Sequence, residues 1–191
     1  MSESGRVVVG VSGSPSSLHA LRVAVGEARR SGRALLAVLA WEPVGGEIAY
    51  HRAPCLELLR MWEDAAAWRL RNSFDEAFGA VPGDVPTQLR WVRGDAGSVL
   101  VGTADRPGDL LVVGAGPRGR LDRLLHGGTA RHCVARAGCQ VLAVPPPELL
   151  RDLPRRERHC LPVPPQALTG PTAPTPGDRT RRGPSGRTET V

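Results

Sequence analysis

Short runs of apolar residues alternate along this chain with longer stretches in which apolar residues recur every three or four positions. The runs cover residues 6–11, 34–41, 110–113 and 140–144. Because they are too short for helices and show no regular polar face, they predict strands that are buried on both sides. Residues 87–92 instead alternate between apolar and polar side chains, which is typical of a strand nearer the edge of a sheet.

The stretches between these strands predict helices. The first begins near Pro15 and ends at Gly32, a residue type that commonly terminates helices. The longest covers about residues 54–80, and the spacing of its apolar residues predicts that they face the core rather than a cofactor. These residues are Leu59, Trp62, Ala66, Leu70, Phe74 and Phe78. Asp95 is expected to cap the next helix, and a last helix is expected to begin near Gly128.

Strands that alternate with helices indicate βαβ units, so the pattern predicts an α/β fold with a parallel sheet and helices on both faces. Ligands of such sheets bind beyond the carboxyl ends of the strands, where the strand order reverses. If the first and fourth strands flank that reversal, the hydroxyl-rich loop at residues 12–17 faces the glycine-rich segment at residues 114–128. Glycines after a buried strand let backbone N–H groups approach an anion closely. The two segments therefore outline a phosphate-binding crevice.

The composition changes near Arg151. Residues 151–191 are rich in Pro, Gly, Thr and Arg and contain no Phe, Tyr or Trp, so they cannot bury enough apolar surface to offset the entropy of ordering. We expect residues 1–150 to form one folded domain and residues 151–191 to form a disordered tail. The tail contributes +4 of the formal net charge of +6. Because the folded part is only mildly basic, a nucleic-acid partner is not expected.

Cysteine and hydropathy patterns exclude several further classes. The four cysteines include no Cys-x-x-Cys pair, so we expect free or buried thiols and no metal site. No run approaches the ~20 apolar residues that a membrane span requires, and no signal-peptide pattern is visible. We therefore expect a soluble cytoplasmic protein. All 25 basic residues are arginine, which is typical of a GC-rich genome.

Four blocks of the sequence resemble the universal stress protein (UspA) family. They read VVVGVSGSPSSLHALRVAVGEA, LLAVLAWEP, VRGDAGSVL and DLLVVGAGPRGRLDRLLHGG followed by AGCQVLAVPPP, in the family's order. The resemblance covers residues 6–147 and implies an open five-stranded parallel sheet in the order 3-2-1-4-5, Rossmann-like and similar to the adenine nucleotide alpha hydrolases. It also implies a homodimer that pairs through the last strand, Gln140–Val144. With its arginine-rich composition, the chain resembles a single-domain, actinobacterial-like member.

The resemblance further implies a nucleotide site, from which this chain departs in two places. ATP-binding members carry Gly-x2-Gly-x9-Gly-Ser/Thr after the fourth strand. Here Gly116 and Gly119 supply the first half, but only seven residues separate Gly119 from Gly127. Gly128 then takes the place of the hydroxyl residue, and the alternative alignment on Gly128-Thr129 leaves eight intervening residues.

The second departure is Ser12, which stands where those members carry an Asp at the end of the first strand. At about 1 kcal/mol per hydrogen bond, the loss of two ligand contacts weakens binding roughly tenfold to a hundredfold. Weak binding of ATP or another adenine nucleotide is therefore expected. Arginines of the glycine-rich segment would neutralise the phosphates, and the backbone at Ala40 would contact the adenine. The implied binding residues are Val11, Ser12, Gly13, Ser14, Ala40, Gly114, Gly116, Arg118, Gly119, Arg120, Gly127, Gly128 and Thr129.

Three functions stay open at this point. The glycine-rich segment favours a non-catalytic, nucleotide-binding stress-response protein. Residues 12–17 are also similar to the Ser-Gly-Gly-x-Asp-Ser loop of the ATP pyrophosphatases, which adenylate a substrate, although Ser14 and Ser16 replace the second Gly and the Asp. In the third alternative no nucleotide binds and the glycines only allow tight packing. The tail then carries a protein interaction through residues 161–165, which are suited to polyproline II.

Overall fold

The computed structural model describes residues 5–115 and 128–147 of the chain. Within these residues the strands are β1 (Val7–Gly10), β2 (Leu35–Trp41), β3 (Thr87–Arg93), β4 (Leu110–Gly114) and β5 (Gln140–Val144). All pair in parallel, in the order β3-β2-β1-β4-β5. The expected α/β fold and strand order are confirmed.

Helices cover both faces of this sheet, as predicted. They are α1 (Pro15–Ser31), α2 (Gly46–Arg52), α3 (Leu56–Phe78), α4 (Ala96–Thr103) and α5 (Thr129–Arg136). One core cluster joins α1 and α3 to the sheet, and a second joins α4 and α5 to its other face. Consecutive strand residues alternate between the two clusters: Val7 and Val9 lie in the first and Val8 in the second. This explains why β1 is apolar at every one of these positions.

Two of the capping residues in the structure, Gly32 and Asp95, are those that the sequence predicts, and Ser14 is a further one. The side chain of Ser14 accepts a hydrogen bond from the backbone N–H of Ser17 at the start of α1, and Gly32 ends that helix with a φ of 66°. Asp95 likewise caps α4 by accepting a hydrogen bond from the N–H of Ser98, at 2.9 Å. Capping residues therefore set both ends of α1 and the start of α4.

Two expectations about the region after β2 need correction. Residues 46–52, to which the hydrophobic pattern assigned no element, form α2. In α3 the first buried residue is Ala66. Leu59 and Trp62 are therefore both half-exposed and do not lie in the core, where their spacing had predicted them. The first ten residues of α3 thus run past the part of the helix that packs on the sheet.

A buried ion pair joins the amino-terminal ends of β1 and β4. The carboxylate of Asp109, 1 % exposed, accepts hydrogen bonds from the backbone N–H of Arg6 at 2.7 Å and from its Nη2 at 2.7 Å. Arg6 also reaches Asp105, at 2.9 Å. Burial raises the pKa of Asp109, but the hydrogen bonds and positive charge of Arg6 outweigh this and hold that pKa below its ordinary value.

The two edges of the sheet differ in character. On β5 the exposed residues include Leu142, 38 % exposed, and Ala143. On β3 the exposed side chains are Gln88 and Arg90. The exposed residues in the middle of β5 are therefore apolar, whereas those of β3 are polar or charged. None of the helices in the described residues combines the length and the apolar character that crossing a membrane requires.

Candidate functional site

The strand order reverses between β1 and β4. β1 pairs with β2 on one side and with β4 on the other, so that Val7 lies opposite both Leu35 and Leu110. The chain leaves β1 toward β2 and returns later to the opposite side. The predicted reversal point is confirmed, and the segments that follow β1 and β4 share one edge of the sheet.

The loop between β1 and α1 is held in place by its own serines. The Ser12 hydroxyl lies 2.9 Å from the Ser14 hydroxyl, and the Ser12 N–H donates to Ser17 Oγ at 3.2 Å. Ser17 Oγ in turn donates to the Ser14 carbonyl at 2.8 Å, while Gly13 adopts a φ of 77°. The loop is therefore closed by neutral hydrogen bonds. It presents hydroxyl groups, and no carboxylate, to the edge of the sheet.

Gly114, at the end of β4, lies against the first turn of α1. A Cβ built at Gly114 would stand 2.8 Å from the Ser16 carbonyl oxygen and 3.0 Å from its carbon. Because those atoms are backbone, no side chain fits there. The next residue, Ala115, donates its N–H to the Val144 carbonyl at 2.7 Å. Packing between β4 and α1 is thus enough to explain Gly114, which matches the non-ligand interpretation of the glycines at this position.

Gly128 and Thr129 lie at the other end of the glycine-rich segment, where α5 begins. Gly128 is the N-cap residue of α5, and no side chain within the described residues caps the helix by a hydrogen bond. Its φ is −57°, and a Cβ added there meets no described atom within 4 Å, so the described residues do not require glycine at this position. α5 precedes β5 and runs antiparallel to it, so the first N–H groups and the positive dipole end of α5 face the carboxyl side of the sheet.

Ala40 lies near the carboxyl end of β2, opposite Val92 of β3, and is half-buried. Its neighbour Trp41 accepts a hydrogen bond from the N–H of Gly94 at 2.8 Å. These contacts place the Ala40 backbone at the same edge of the sheet as the β1–α1 loop, two strands from β4. The side chain itself brings no polar group.

A side-chain cluster that the sequence did not predict holds α2 over this edge. Arg93, the last residue of β3, forms a two-pronged ion pair with Glu47 at 2.6 and 2.8 Å. Its guanidinium lies 4.7 Å from the centre of the Tyr50 ring. The hydrogen bonds and charge of Arg93 hold the pKa of Glu47 below its ordinary value. The only sequence pattern that indicates this cluster is the three-residue spacing of Glu47 and Tyr50, which places both on one side of a helix.

No catalytic constellation is found among the described residues. His132 packs on the backbone of α4, because a Cβ at Gly97 would lie 2.7 Å from its Cγ. Asp95 is engaged in capping α4, and the hydrogen bond from the Ser98 N–H lowers its pKa. Within residues 5–115 and 128–147 no group of three or more His, Cys, Asp or Glu is placed to hold a metal ion. Gly116, Arg118, Gly119, Arg120 and Gly127 lie outside the described residues.

Comparison with known proteins identifies relatives of this architecture. The family model described as "Universal stress protein family" matches residues 3–145. Among solved structures, a universal stress protein in complex with cAMP is 30% identical, with 73% of this chain and 95% of that chain covered and a TM-score of 0.48. Universal stress protein UspA from Lactobacillus plantarum is 22% identical, with 75% and 99% covered and a TM-score of 0.57.

A third solved structure is a universal stress protein family protein from Arabidopsis thaliana with AMP bound. It is 21% identical, with 79% of this chain and 97% of that chain covered and a TM-score of 0.45. The comparison with curated proteins gave no match.

Proposed function

Because this chain belongs to the universal stress protein family, we propose that it is a non-catalytic stress-response protein that binds an adenine nucleotide weakly at the carboxyl edge between β1 and β4. The observation that carries the proposal is the strand-order reversal between β1 and β4, after which two polar segments follow. One is the serine-rich loop after β1, and the other is the start of α5, which no side chain within the described residues caps. In our proposal the loop offers hydroxyl groups and the start of α5 offers N–H groups to a phosphate.

The described residues proposed to line the crevice between β1 and β4 are Val11, Ser12, Gly13, Ser14 and Gly128, and all five are neutral. The positive charge of Arg93, at the same edge, is already paired with Glu47. In our proposal the phosphate charge is therefore met by the α5 dipole and by Arg118 and Arg120, and the adenine by the backbone near Ala40. A site that has few charged contacts and no carboxylate for the ribose binds weakly.

Replacement of Ser12 by Asp tests the ligand half of the proposal. Ser12 is exposed, and an Asp retains the acceptor that Ser14 uses, so the loop is expected to fold unchanged. With ATP, AMP and cAMP as probes, Ser12→Asp is expected to tighten binding about tenfold in calorimetric titrations. Ser31→Asp adds the same charge at the far end of α1 and serves as the matched control. If neither wild type nor Ser12→Asp binds any of the three nucleotides at millimolar concentration, the ligand assignment fails.

The serine network argues against the adenylating alternative. A loop that cradles pyrophosphate needs free backbone donors, whereas the N–H groups of Ser12, Ser14 and Ser17 already donate to hydroxyl groups within the loop. We therefore propose that bound ATP is not cleaved. Release of pyrophosphate from ATP in the presence of a candidate substrate pool would overturn this assignment.

We further propose that two chains pair through β5. Its exposed residues in mid-strand, Leu142 and Ala143, are apolar, and no strand lies beside β5 on its outer side within the described residues. Charged and polar side chains instead protect β3 at the opposite edge. Leu142→Arg is expected to convert a dimer into a monomer in light scattering after size exclusion. Gln88→Arg places the same charge on β3 and is expected to leave the dimer intact. The proposal would be contradicted if the wild-type protein were still a monomer at a protein concentration of roughly tens of micromolar, at which weak dimers commonly form.

The division into a domain at residues 1–150 and a tail at residues 151–191 stays a prediction, because the tail lies outside the described residues. Cytoplasmic location likewise stays part of the proposal. Limited proteolysis is expected to leave a resistant fragment that ends near residue 150. A digest that cuts first within α1 or α3 would contradict the proposed boundary.

A further inference from the structure

The first half of α3 presents an apolar face that neither core cluster of the described residues covers. None of the residues 56–65 is buried, whereas the buried residues of this helix begin at Ala66. Leu58 is 44% exposed and Met61 is 55% exposed. Leu58, Met61 and Trp62 are spaced by three and four positions, which places them on one side of the helix. We refer to these three residues as the α3 face.

An aromatic pair extends the α3 face onto α2. The rings of Trp62 and Tyr50 meet edge to face with their centres 6.4 Å apart. Tyr50 is fixed from its other side by the guanidinium of Arg93, which also pairs with Glu47. The half-exposed rings are therefore held in a defined arrangement by residues that make no contribution to the core. Proline-rich segments in the polyproline II conformation are commonly recognised by surfaces lined with aromatic side chains.

Acidic residues border the α3 face. Glu57 lies four residues before Met61 and Asp64 three residues after it, so both flank it on the helix surface, and both are exposed. Residues 56–65 contain three acids and one arginine, in a chain whose formal net charge is +6. The net charge of the surface next to the α3 face is thus negative, whereas the net charge of the rest of the protein is positive.

We propose that residues 151–165 of the same chain dock on the α3 face. This segment ends in Leu161-Pro162-Val163-Pro164-Pro165, which is suited to polyproline II. A stretch with four arginines and two acids ends at residue 158, separated from this run by two residues. The apolar residues of this segment would pack on the α3 face and on the ring of Tyr50. Its arginines are opposite in charge to Glu57 and Asp64. The inference does not depend on nucleotide binding, and it assigns the tail a partner within its own domain.

The chain is long enough for this contact. β5 ends at the carboxyl edge of the sheet, and α3 starts at that same edge because it follows β2 and α2. β5 and β2 are three strand positions apart, which corresponds to roughly 15 Å. Thirteen residues lie between Pro147 and Leu161, so the two are at most about 50 Å apart when the chain is fully extended. Because the segment is tethered, its effective concentration at the α3 face is of the order of millimolar, which favours even a weak contact.

Amide hydrogen exchange on the full chain tests the proposal. The variant Leu161→Asp/Val163→Asp changes the tail alone, and Ala167→Asp/Ala173→Asp introduces the same charge outside the docking segment. Peptides that cover α2 and residues 56–65 are expected to exchange about five- to tenfold faster in the first variant than in wild type. The second variant is expected to match wild type. A synthetic peptide of residues 151–165, added in excess to the first variant, is expected to restore slow exchange.

Three results would overturn the proposal. Equal exchange in wild type and in the Leu161→Asp/Val163→Asp variant means that the tail does not cover the α3 face. Protection that disappears on dilution of the wild type means that a second copy of the chain covers it instead. Protection that the two tail variants lose equally shows that charge in the tail, and not residues 151–165, is responsible.

Discussion

Removal of the Asp109 carboxylate is expected to destabilise the protein strongly. In Asp109→Ala the buried backbone N–H of Arg6 loses its acceptor at 2.7 Å, and the guanidinium loses its closest partner. An unsatisfied buried donor costs about 1–3 kcal/mol, and the loss of one member of a buried ion pair costs up to about 3–5 kcal/mol. Arg6 is 19% exposed and keeps Asp105, so we expect a loss of about 2–4 kcal/mol in the free energy of unfolding.

Chemical denaturation monitored by circular dichroism measures this change, which corresponds to roughly 6–12 °C in Tm for a domain of about 150 residues. Asp109→Asn keeps an acceptor for the Arg6 N–H and is expected to lose about half as much. Asp84→Ala is the matched control, because it breaks an arginine pair whose side chains are 48% and 56% exposed. If Asp109→Ala is no more damaging than Asp84→Ala, the buried pair does not stabilise the fold and the reasoning is refuted.

The pH dependence of the same pair has a defined sign. The pKa of Asp109 lies below its ordinary value of 3.8 in the folded protein, because the hydrogen bonds and charge of Arg6 outweigh its burial. Its contribution is therefore complete above about pH 4 and is lost as the pH falls through the folded pKa. The difference in stability between wild type and Asp109→Asn is expected to shrink over that acidic range. The ordinary pKa of an aspartate is about 4. If the difference in the free energy of unfolding between wild type and Asp109→Asn grows below that pH, the lowered pKa assigned to Asp109 is wrong.

Three further changes test the neighbourhood of the candidate site. Ser14→Ala removes the cap that accepts from Ser17 and is expected to lower the free energy of unfolding by about 1 kcal/mol in urea titrations, whereas Ser14→Asp keeps it near wild type. Gly114→Val places a side chain against the Ser16 carbonyl and is expected to yield little folded protein in circular dichroism; wild-type stability would disprove the close contact. Cys133 is fully buried, and burial raises its pKa to about 11. At about pH 8, near the ordinary pKa of a thiol, iodoacetamide is therefore expected to leave Cys133 unmodified in the native protein and to modify it in urea. Peptide mass spectrometry measures both outcomes.

The hydrophobic pattern was sufficient to predict the strands and most helix ends. Residues such as Val7 to Val9 are apolar at consecutive positions because both faces of the sheet are covered, and this condition is visible in sequence. The strand order followed from the family resemblance, since periodicity does not specify which strands are neighbours. Trp62 shows the same limit, because helical spacing identifies an apolar side without showing whether the protein covers it.

The candidate site was less predictable, because its decisive contacts are tertiary. The glycine pattern indicated a phosphate cradle, but the space around Gly114 is set by the Ser16 carbonyl, nearly a hundred residues earlier in the chain. α2 was missed because seven residues are too few for a recognisable period. Its position depends on Arg93, whose pairing with Glu47 joins two segments that are 46 residues apart.

The unequal edges of the sheet limit how far the protein can polymerise. An exposed strand edge is a template on which another chain can grow, and repeated growth at two edges produces a fibre. The charged side chain of Arg90 on β3 makes that edge a poor template. In the dimer that we propose, each chain covers the β5 edge of the other, and only the β3 edges remain outside. Growth of such an assembly would therefore terminate after one step, because the edge that pairs two chains is no longer available to a third.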